Sequence, residues 1–338
     1  MEQTTCPHPF LFISYHALNI KLLQIESIEE DALTTKAALA PAPPHGALSR
    51  RTMVTQHQAP WGLGRISHRA RNSPDYFYSS SAGEGVRVYV LDTGIRTSHA
   101  EFGPAPGRAV WGANFVPGSP DADEDGHGTH VAGTVAGRTF GVAKRATVVA
   151  VKVLDRSGSG YMSYLLRGLD WAVADARKRG VAGRAVVNLS LGGEYTAAVN
   201  AGVRAATDAG LTVVVAAGND NATASGYSPG SEATAITVGA SDRADMRAYF
   251  SNFGGAVDIF APGVGILSAS KGGDARNMTM SGTSMAAPHV AGLAAYFIAR
   301  GHLSGYAAVS KRILEAATKG VGNRKGSADR IAYNAHGV

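Results

Sequence analysis

The hydrophobic positions of this chain fall into two alternating patterns. Five short runs, VRVYVLD (86–92), TVVAVKVL (147–154), AVVNLS (185–190), LTVVVAA (211–217) and AITVGA (235–240, centred on Ile236), are rich in β-branched residues and nearly continuous in apolar character. Such runs read as strands covered on both faces. Segments with helical spacing lie between them. The clearest is 161–178, where Met162, Leu165, Leu166, Leu169, Ala172, Val173 and Ala176 form one apolar face. The alternation predicts an α/β fold: a mostly parallel central sheet with helices on both faces, whose sites form beyond the carboxyl ends of the strands.

A further helix is predicted in SGTSMAAPHVAGLAAYF (281–297), with Ser284 in its first turn. Met285, Val290, Leu293, Ala294 and Phe297, with small residues between them, make it apolar on nearly every side, so only its start meets solvent. There Ser284 stands among N–H groups that have no helical acceptor. Pro288 has no N–H, so the Ser284 carbonyl loses its helical partner. A hydroxyl so placed suits attack on a carbonyl, with N–H groups nearby for the oxyanion. A Ser/Thr cap on a core helix is the competing reading.

Composition narrows the class. With 338 residues, 45% hydrophobic and 17% charged, the chain can bury a large core and is too apolar to be disordered. Its formal net charge is +6. The Lys and Arg are scattered without interleaved aromatics, however, so no nucleic acid is expected as a partner. No apolar run approaches a membrane span, so no membrane partner is expected either. Cys6 is the sole cysteine, which excludes an intrachain disulfide. Residues 1–53 differ from the rest. LAPAPPHGALSRR (39–51) reads as a cleavable linker, and the first twenty residues make a poor signal peptide, with an early Glu2 and one four-residue apolar run. The main domain is placed at 54–338.

Three further residues join Ser284 as candidates. Asp92 ends the run VYVLD, at the rim where sites form in such sheets; a helix cap or a ribose ligand is the alternative. His127, in DEDGHGTHVAGTVAG (123–137), opens a helix of small residues. A cationic imidazole is disfavoured at that end of a helix, so a proton-accepting His127 needs a buried carboxylate, which Asp92 can supply. His127 and His130 also stand at metal-pair spacing, but without the glutamate of the zinc-peptidase pattern. Asn219 follows the apolar run VVVAAG, where its NH2 could donate to an oxyanion or simply shape a turn.

VLDTGI, DGHGTHVAGT, NLSLGG, AAGN and SGTSMAAPHVAG, in that order, resemble the sequence blocks of the subtilisin-like serine endopeptidases. APWGLGRIS and AVDIFAPG resemble the proteinase K-like branch of fungal type. The resemblance covers 54–338 and implies a subtilisin-like three-layer fold. It also implies a peptidase of broad specificity that works through an acyl-enzyme. Carried over by position, Ser284 is the nucleophile, His127 the general base and then acid, and Asp92 the group that orients the imidazole. Asn219 forms the oxyanion hole with the Ser284 N–H.

The same resemblance makes Gly158, Ser159 and Gly160, with Ser190, Leu191, Gly192 and Gly193, the two segments that clamp a peptide as an added strand. Met162 stands where an aromatic is frequent, which implies a differently shaped outer pocket. No cofactor is implied for catalysis. A structural calcium ion is implied, held by the Asp258 carboxylate and the carbonyls of Ala233 and Ala235. The implied partners are protein and peptide substrates and an inhibitory prosegment; the implied state is a secreted, extracellular monomer made as a zymogen.

LQIESIEEDALTT (23–35) resembles the end of such a prosegment with little before it. Residues 1–53 therefore read as a truncated prosegment remnant and linker, cut at Arg50 and Arg51 or a few residues later. On that ground a catalytically unproductive remnant or binding protein is the alternative function, and a metal-dependent hydrolase using His127 and His130 is a third. Asn188, Asn221 and Asn277 open Asn-x-Ser/Thr sequences, of which Asn188 lies in a predicted core strand.

Overall fold

The computed structural model describes residues 52–104 and 107–336. Seven strands form its main sheet: β1 (Arg87–Asp92), β2 (Ala109–Asn114), β3 (Thr147–Lys152), β4 (Ala185–Leu189), β5 (Thr212–Ala216), β6 (Ile236–Ser241) and β7 (Ile259–Pro262). Their order is β7-β6-β5-β4-β1-β3-β2, and every neighbouring pair is parallel. The five predicted strands are its centre. β2 and β7 are edges that apolar continuity missed, because β2 leaves most of its residues half-buried and β7 ends in Pro262.

Six α-helices occur among the described residues: α1 (Trp61–Ser67), α2 (His127–Ala136), α3 (Met162–Lys178), α4 (Ala197–Asp208), α5 (Thr283–Gly301) and α6 (Tyr306–Ala316). Successive strand residues face opposite sides of the sheet, and two cores follow from that. Val88, Val90, Val148, Ala150, Val214 and Val238 pack with Val131 and Val135 of α2 and Val290 and Leu293 of α5. Tyr89, Leu91, Val149, Val151, Val187 and Val215 pack with Leu165 and Leu169 of α3 and Val199 and Val203 of α4. Three layers result, as expected.

The apolar face of α3 is shorter than its periodicity suggests. Leu165, Leu169, Ala172 and Ala176 are buried, Leu166 and Val173 only half-buried, and Met162 is 54% exposed. Met162 is the first residue of the helix and lines a surface cleft instead of the sheet.

β1 lies between β3 and β4, so the chain builds the sheet first to one side of β1 and then to the other. Their carboxyl ends flank a switch point, where a crevice opens. Asp92 ends β1, Ser190 follows β4, and Asn219 lies just beyond β5. Short antiparallel ribbons flank the sheet, among them Gly193–Glu194 with Tyr227–Ser228. The expected boundary between residues 53 and 54 falls inside the strand Met53–Gln56, which pairs with Tyr76–Ser79. The proposed prosegment remnant, Arg50, Arg51 and Cys6 lie outside the described residues. Among the described residues no helix is long and apolar enough to cross a membrane.

Candidate active site

Asp92 is fully buried at the end of β1, and α2 is packed hard against it. A Cβ on Gly128 would stand 2.1 Å from the Gly94 carbonyl oxygen and 3.2 Å from the Asp92 Cβ, so only glycine permits this approach. His127, the first residue of α2, thereby brings Nδ1 to 2.8 and 3.0 Å from the two carboxylate oxygens of Asp92. A carboxylate only accepts, so Nδ1 carries the proton and Nε2 is left as the acceptor. Burial pulls the imidazole pKa down. The charge and hydrogen bond of Asp92, with the charges of Asp125 and Asp123, more than offset it, so the His127 pKa is raised overall.

Asp123 ties the two elements together, which no sequence pattern announced. Its Oδ1 accepts from the Thr93 hydroxyl at 2.8 Å and the Gly126 N–H at 2.8 Å, and its Oδ2 from the Thr129 N–H at 2.9 Å. The residue next to Asp92 and the first turn of α2 thus share one buried carboxylate.

α5 is buried along most of its length and carries Ser284 in its first turn. The Ser284 carbonyl, deprived of a partner by Pro288, accepts from the Ser190 hydroxyl at 2.8 Å. Ser284 Oγ donates in return to the Ser190 carbonyl at 3.0 Å, rather than to His127. The Ser190 hydroxyl is oriented by Asn188 Nδ2 at 2.9 Å. Asn188 is fully buried, as the sequence placed it.

Beyond β5 the chain turns sharply at Gly218, whose φ of 101° and closeness to Asn252 Nδ2, 2.3 Å from an added Cβ, both require glycine. Asn219 follows. Its Oδ1 accepts from the Thr283 N–H at 2.9 Å and the Thr283 hydroxyl at 3.0 Å. A backbone N–H can only donate, so this end of the amide is fixed as oxygen and the NH2 is the free end. No sequence pattern places Thr283 against Asn219, 64 positions away.

His127, Asn219 and Ser284 open on one cleft of about 870 Å³. Gly158, Ser159 and Gly160 line it, as do Ser190, Leu191, Gly192 and Gly193. Asp92 lies behind His127, away from solvent. The predicted catalytic and substrate-binding residues are therefore brought together around one surface.

Residues 83–332 match the model of the subtilase family, Peptidase S8. The chain belongs to this family. It is 53% identical over 294 residues to "Subtilisin-like protease 1" of Pseudogymnoascus destructans, covering 87% of this chain and 72% of that protein. It is 51% identical over 262 residues to "Subtilisin-like protease 5" of Trichophyton verrucosum, covering 78% of this chain and 64% of that one. Among solved structures, a cold adapted subtilisin-like serine proteinase superposes with a TM-score of 0.77 at 40% identity, over 82% of this chain and 98% of that one. The fold and the serine endopeptidase class implied by the sequence blocks are thus shown.

His130 stands apart from this machinery. Its Nε2 meets the Ile266 carbonyl at 2.9 Å, so Nε2 is protonated, and burial pulls its pKa down to about 4. Among the described residues no group of three or more His, Cys, Asp and Glu side chains could hold a metal ion.

The residues suggested for calcium lie away from the cleft. The carbonyl oxygens of Ala233 and Ala235 converge on one point, and the Tyr306 hydroxyl sits there, 3.2 and 3.3 Å from them. Burial first, and then the charge of Asp258, raises the Tyr306 pKa. Burial pushes the Asp258 pKa up to about 6, against a hydrogen bond from the Thr237 N–H and the charge of Arg330. Two carbonyls and one undercompensated carboxylate are a donor set that fits a hard cation.

Proposed function

We propose that this serine endopeptidase cuts peptide bonds with a triad of Asp92, His127 and Ser284, and that Asn219 completes the oxyanion hole. The observation that carries the assignment is the hydrogen bond between Asp92 and His127, on the wall of the cleft into which Ser284 opens. Rotation about the Ser284 side chain releases Oγ from the Ser190 carbonyl and turns it toward His127 Nε2.

Oγ attacks the scissile carbonyl carbon while Nε2 takes its proton. The oxyanion is held by Asn219 Nδ2 and the Ser284 N–H. Collapse breaks the C–N bond, the imidazolium gives its proton to the departing amine, and an ester remains on Ser284. Water, deprotonated by Nε2, then attacks that ester; the acyl C–Oγ bond breaks, the imidazolium returns its proton to Ser284 Oγ, and the acid is released. Asp92 stabilises the imidazolium throughout. These residues account for every bond change, so no cofactor enters the chemistry.

The substrate backbone is read between 158–160 and 190–193, where main-chain hydrogen bonding admits many sequences and gives broad specificity. Calcium, when bound, supplies a structural crosslink. The carbonyls of Ala233 and Ala235 and the carboxylate of Asp258 would hold it once the Tyr306 phenol has turned away. The assignment is tested by Ser284→Ala, which should lower turnover of a casein or peptide substrate by more than about 1,000-fold without unfolding the protein. Turnover near the parent level would remove Ser284 from the nucleophile's place.

A further inference from the structure

The peptide groups on both sides of His127 are anchored to one carboxylate. The Gly126 N–H donates to Asp123 Oδ1 at 2.8 Å. The Gly128 N–H donates to Thr93 Oγ1 at 2.9 Å, and that hydroxyl donates in turn to Asp123 Oδ1 at 2.8 Å. With the Asp125 N–H at 3.2 Å on the same oxygen, and the N–H and hydroxyl of Thr129 on Oδ2, five donors converge on Asp123. The residue is buried, and among the described residues no lysine or arginine lies within ion-pair distance of it.

Thr93 carries the connection across to Asp92. Its N–H donates to Asp92 Oδ1 at 2.8 Å, and its carbonyl accepts from the buried Lys152 Nζ at 2.7 Å. One residue therefore ties the carboxylate that receives His127 Nδ1 to the carboxylate that holds the backbone around His127.

We propose that Asp123 is a positioning residue of the triad: directly at Gly126, and through Thr93 at Gly128, it keeps His127 Nδ1 on Asp92, and its charge adds to that of Asp92 in favour of the imidazolium. The proposal rests on the peptidase reading above. An asparagine could not take this role. It offers one acceptor oxygen and one NH2, so either the Thr129 N–H or the donors from Thr93 and Gly126 would face another donor. A base displaced by about 1 Å can lose roughly 100-fold in rate.

The charges that face His127 decide the direction of the electrostatic part. Burial lowers the His127 pKa, and Asp92, Asp125 and Asp123 raise it. His130, one turn along α2, is neutral above about pH 4. Lys152 and Lys271 are the cations beside these carboxylates. Burial lowers the Lys152 pKa against the charges of Glu124, Asp123, Asp155 and Asp92, and the Lys271 ammonium donates to the Glu124 carbonyl. Loss of the Asp123 charge therefore lets the imidazolium release its proton at lower pH.

The test compares steady-state kinetics on one peptide anilide for the parent, Asp123→Asn, Thr93→Val and Thr93→Ser, with thermal midpoints as a check on folding. NMR follows the titration of the His127 imidazole in Ser284→Ala, with and without Asp123→Asn. Asp123→Asn should lower kcat by roughly 10- to 100-fold with little change in KM, and should move both the acid limb of kcat/KM and the His127 titration to lower pH. Thr93→Val, which cuts the link to Gly128, should lower kcat by about tenfold, and Thr93→Ser, which keeps the hydroxyl, should restore most of it. A folded Asp123→Asn with the parent's kcat, or a His127 titration that stays in place, would overturn the proposal. Should Asp123→Asn fail to fold, a folded Thr93→Val with the parent's kcat would overturn it. A folded parent that cleaves no peptide would instead remove the peptidase reading, and the NMR titration would still decide whether Asp123 acts on His127.

Discussion

Ser190 and Ser284 are joined by two reciprocal hydrogen bonds: the Ser190 hydroxyl donates to the Ser284 carbonyl at 2.8 Å, and the Ser284 hydroxyl donates to the Ser190 carbonyl at 3.0 Å. The first bond answers the defect that Pro288 introduces into α5. The second holds the Ser284 hydroxyl on the segment that follows β4 and lines the cleft. Ser190→Ala removes the first bond and leaves a half-buried carbonyl without that donor, at a cost of about 1 kcal/mol. Thermal or denaturant unfolding of the inhibitor-inactivated protein measures this. An unchanged midpoint would show that another donor takes the carbonyl.

The pH dependence of activity should carry the mark of His127. The imidazole must be neutral to accept the Ser284 proton, and its pKa is raised, so activity should be lost on the acid side above the pH at which an ordinary histidine titrates. Asp125 is one of the charges that raise it. Its Oδ1 accepts from the His127 N–H at 3.0 Å, a bond that asparagine can also accept. Asp125→Asn removes the negative charge, which lets the proton leave more easily. The acid limb of kcat/KM should therefore move to lower pH; a limb that stays in place would deny that Asp125 acts on His127.

Asn219→Ala should lower kcat by roughly 100- to 1,000-fold with little change in KM, because the lost amide donates to a charge that exists only during reaction. Steady-state kinetics on one anilide substrate would separate the two. A raised KM at constant kcat would assign Asn219 to ground-state binding. Thr283→Val removes a hydroxyl that donates to Asn219 Oδ1 but leaves the Thr283 N–H. It should therefore have the smaller effect on kcat.

Tyr306→Phe clears the point on which the Ala233 and Ala235 carbonyls converge. If those carbonyls and Asp258 form a calcium site, millimolar calcium should raise the thermal midpoint of Tyr306→Phe more than that of the parent, and a chelator should reverse the difference. Equal responses in the two proteins would remove these residues as the site.

The legible parts of this site were those with a local signature. Asp92 ends an apolar run, His127 and Ser284 start helices, and Asn219 closes a buried strand, so each could be placed on the same sheet rim from its neighbours alone. The supporting residues have no such signature. Ser190 meets Ser284 across 94 positions, and Thr93 meets Asp123 across 30. Such contacts depend on how close α2 and α5 come to the sheet, which periodicity does not report. Met162 shows the same limit: helical spacing puts it on the apolar face of α3 but does not tell where the sheet beneath that face ends, and it lines the cleft instead.

The central claim is that Ser284 is an activated serine, and it is tested most directly by reaction with a fluorophosphonate probe followed by peptide mass mapping, with an unfolded sample alongside. The account predicts label on Ser284 in the folded protein alone, at a rate that rises with pH as His127 loses its proton. No label on Ser284 in protein shown to be folded, or equal label in the folded and unfolded samples, would contradict it.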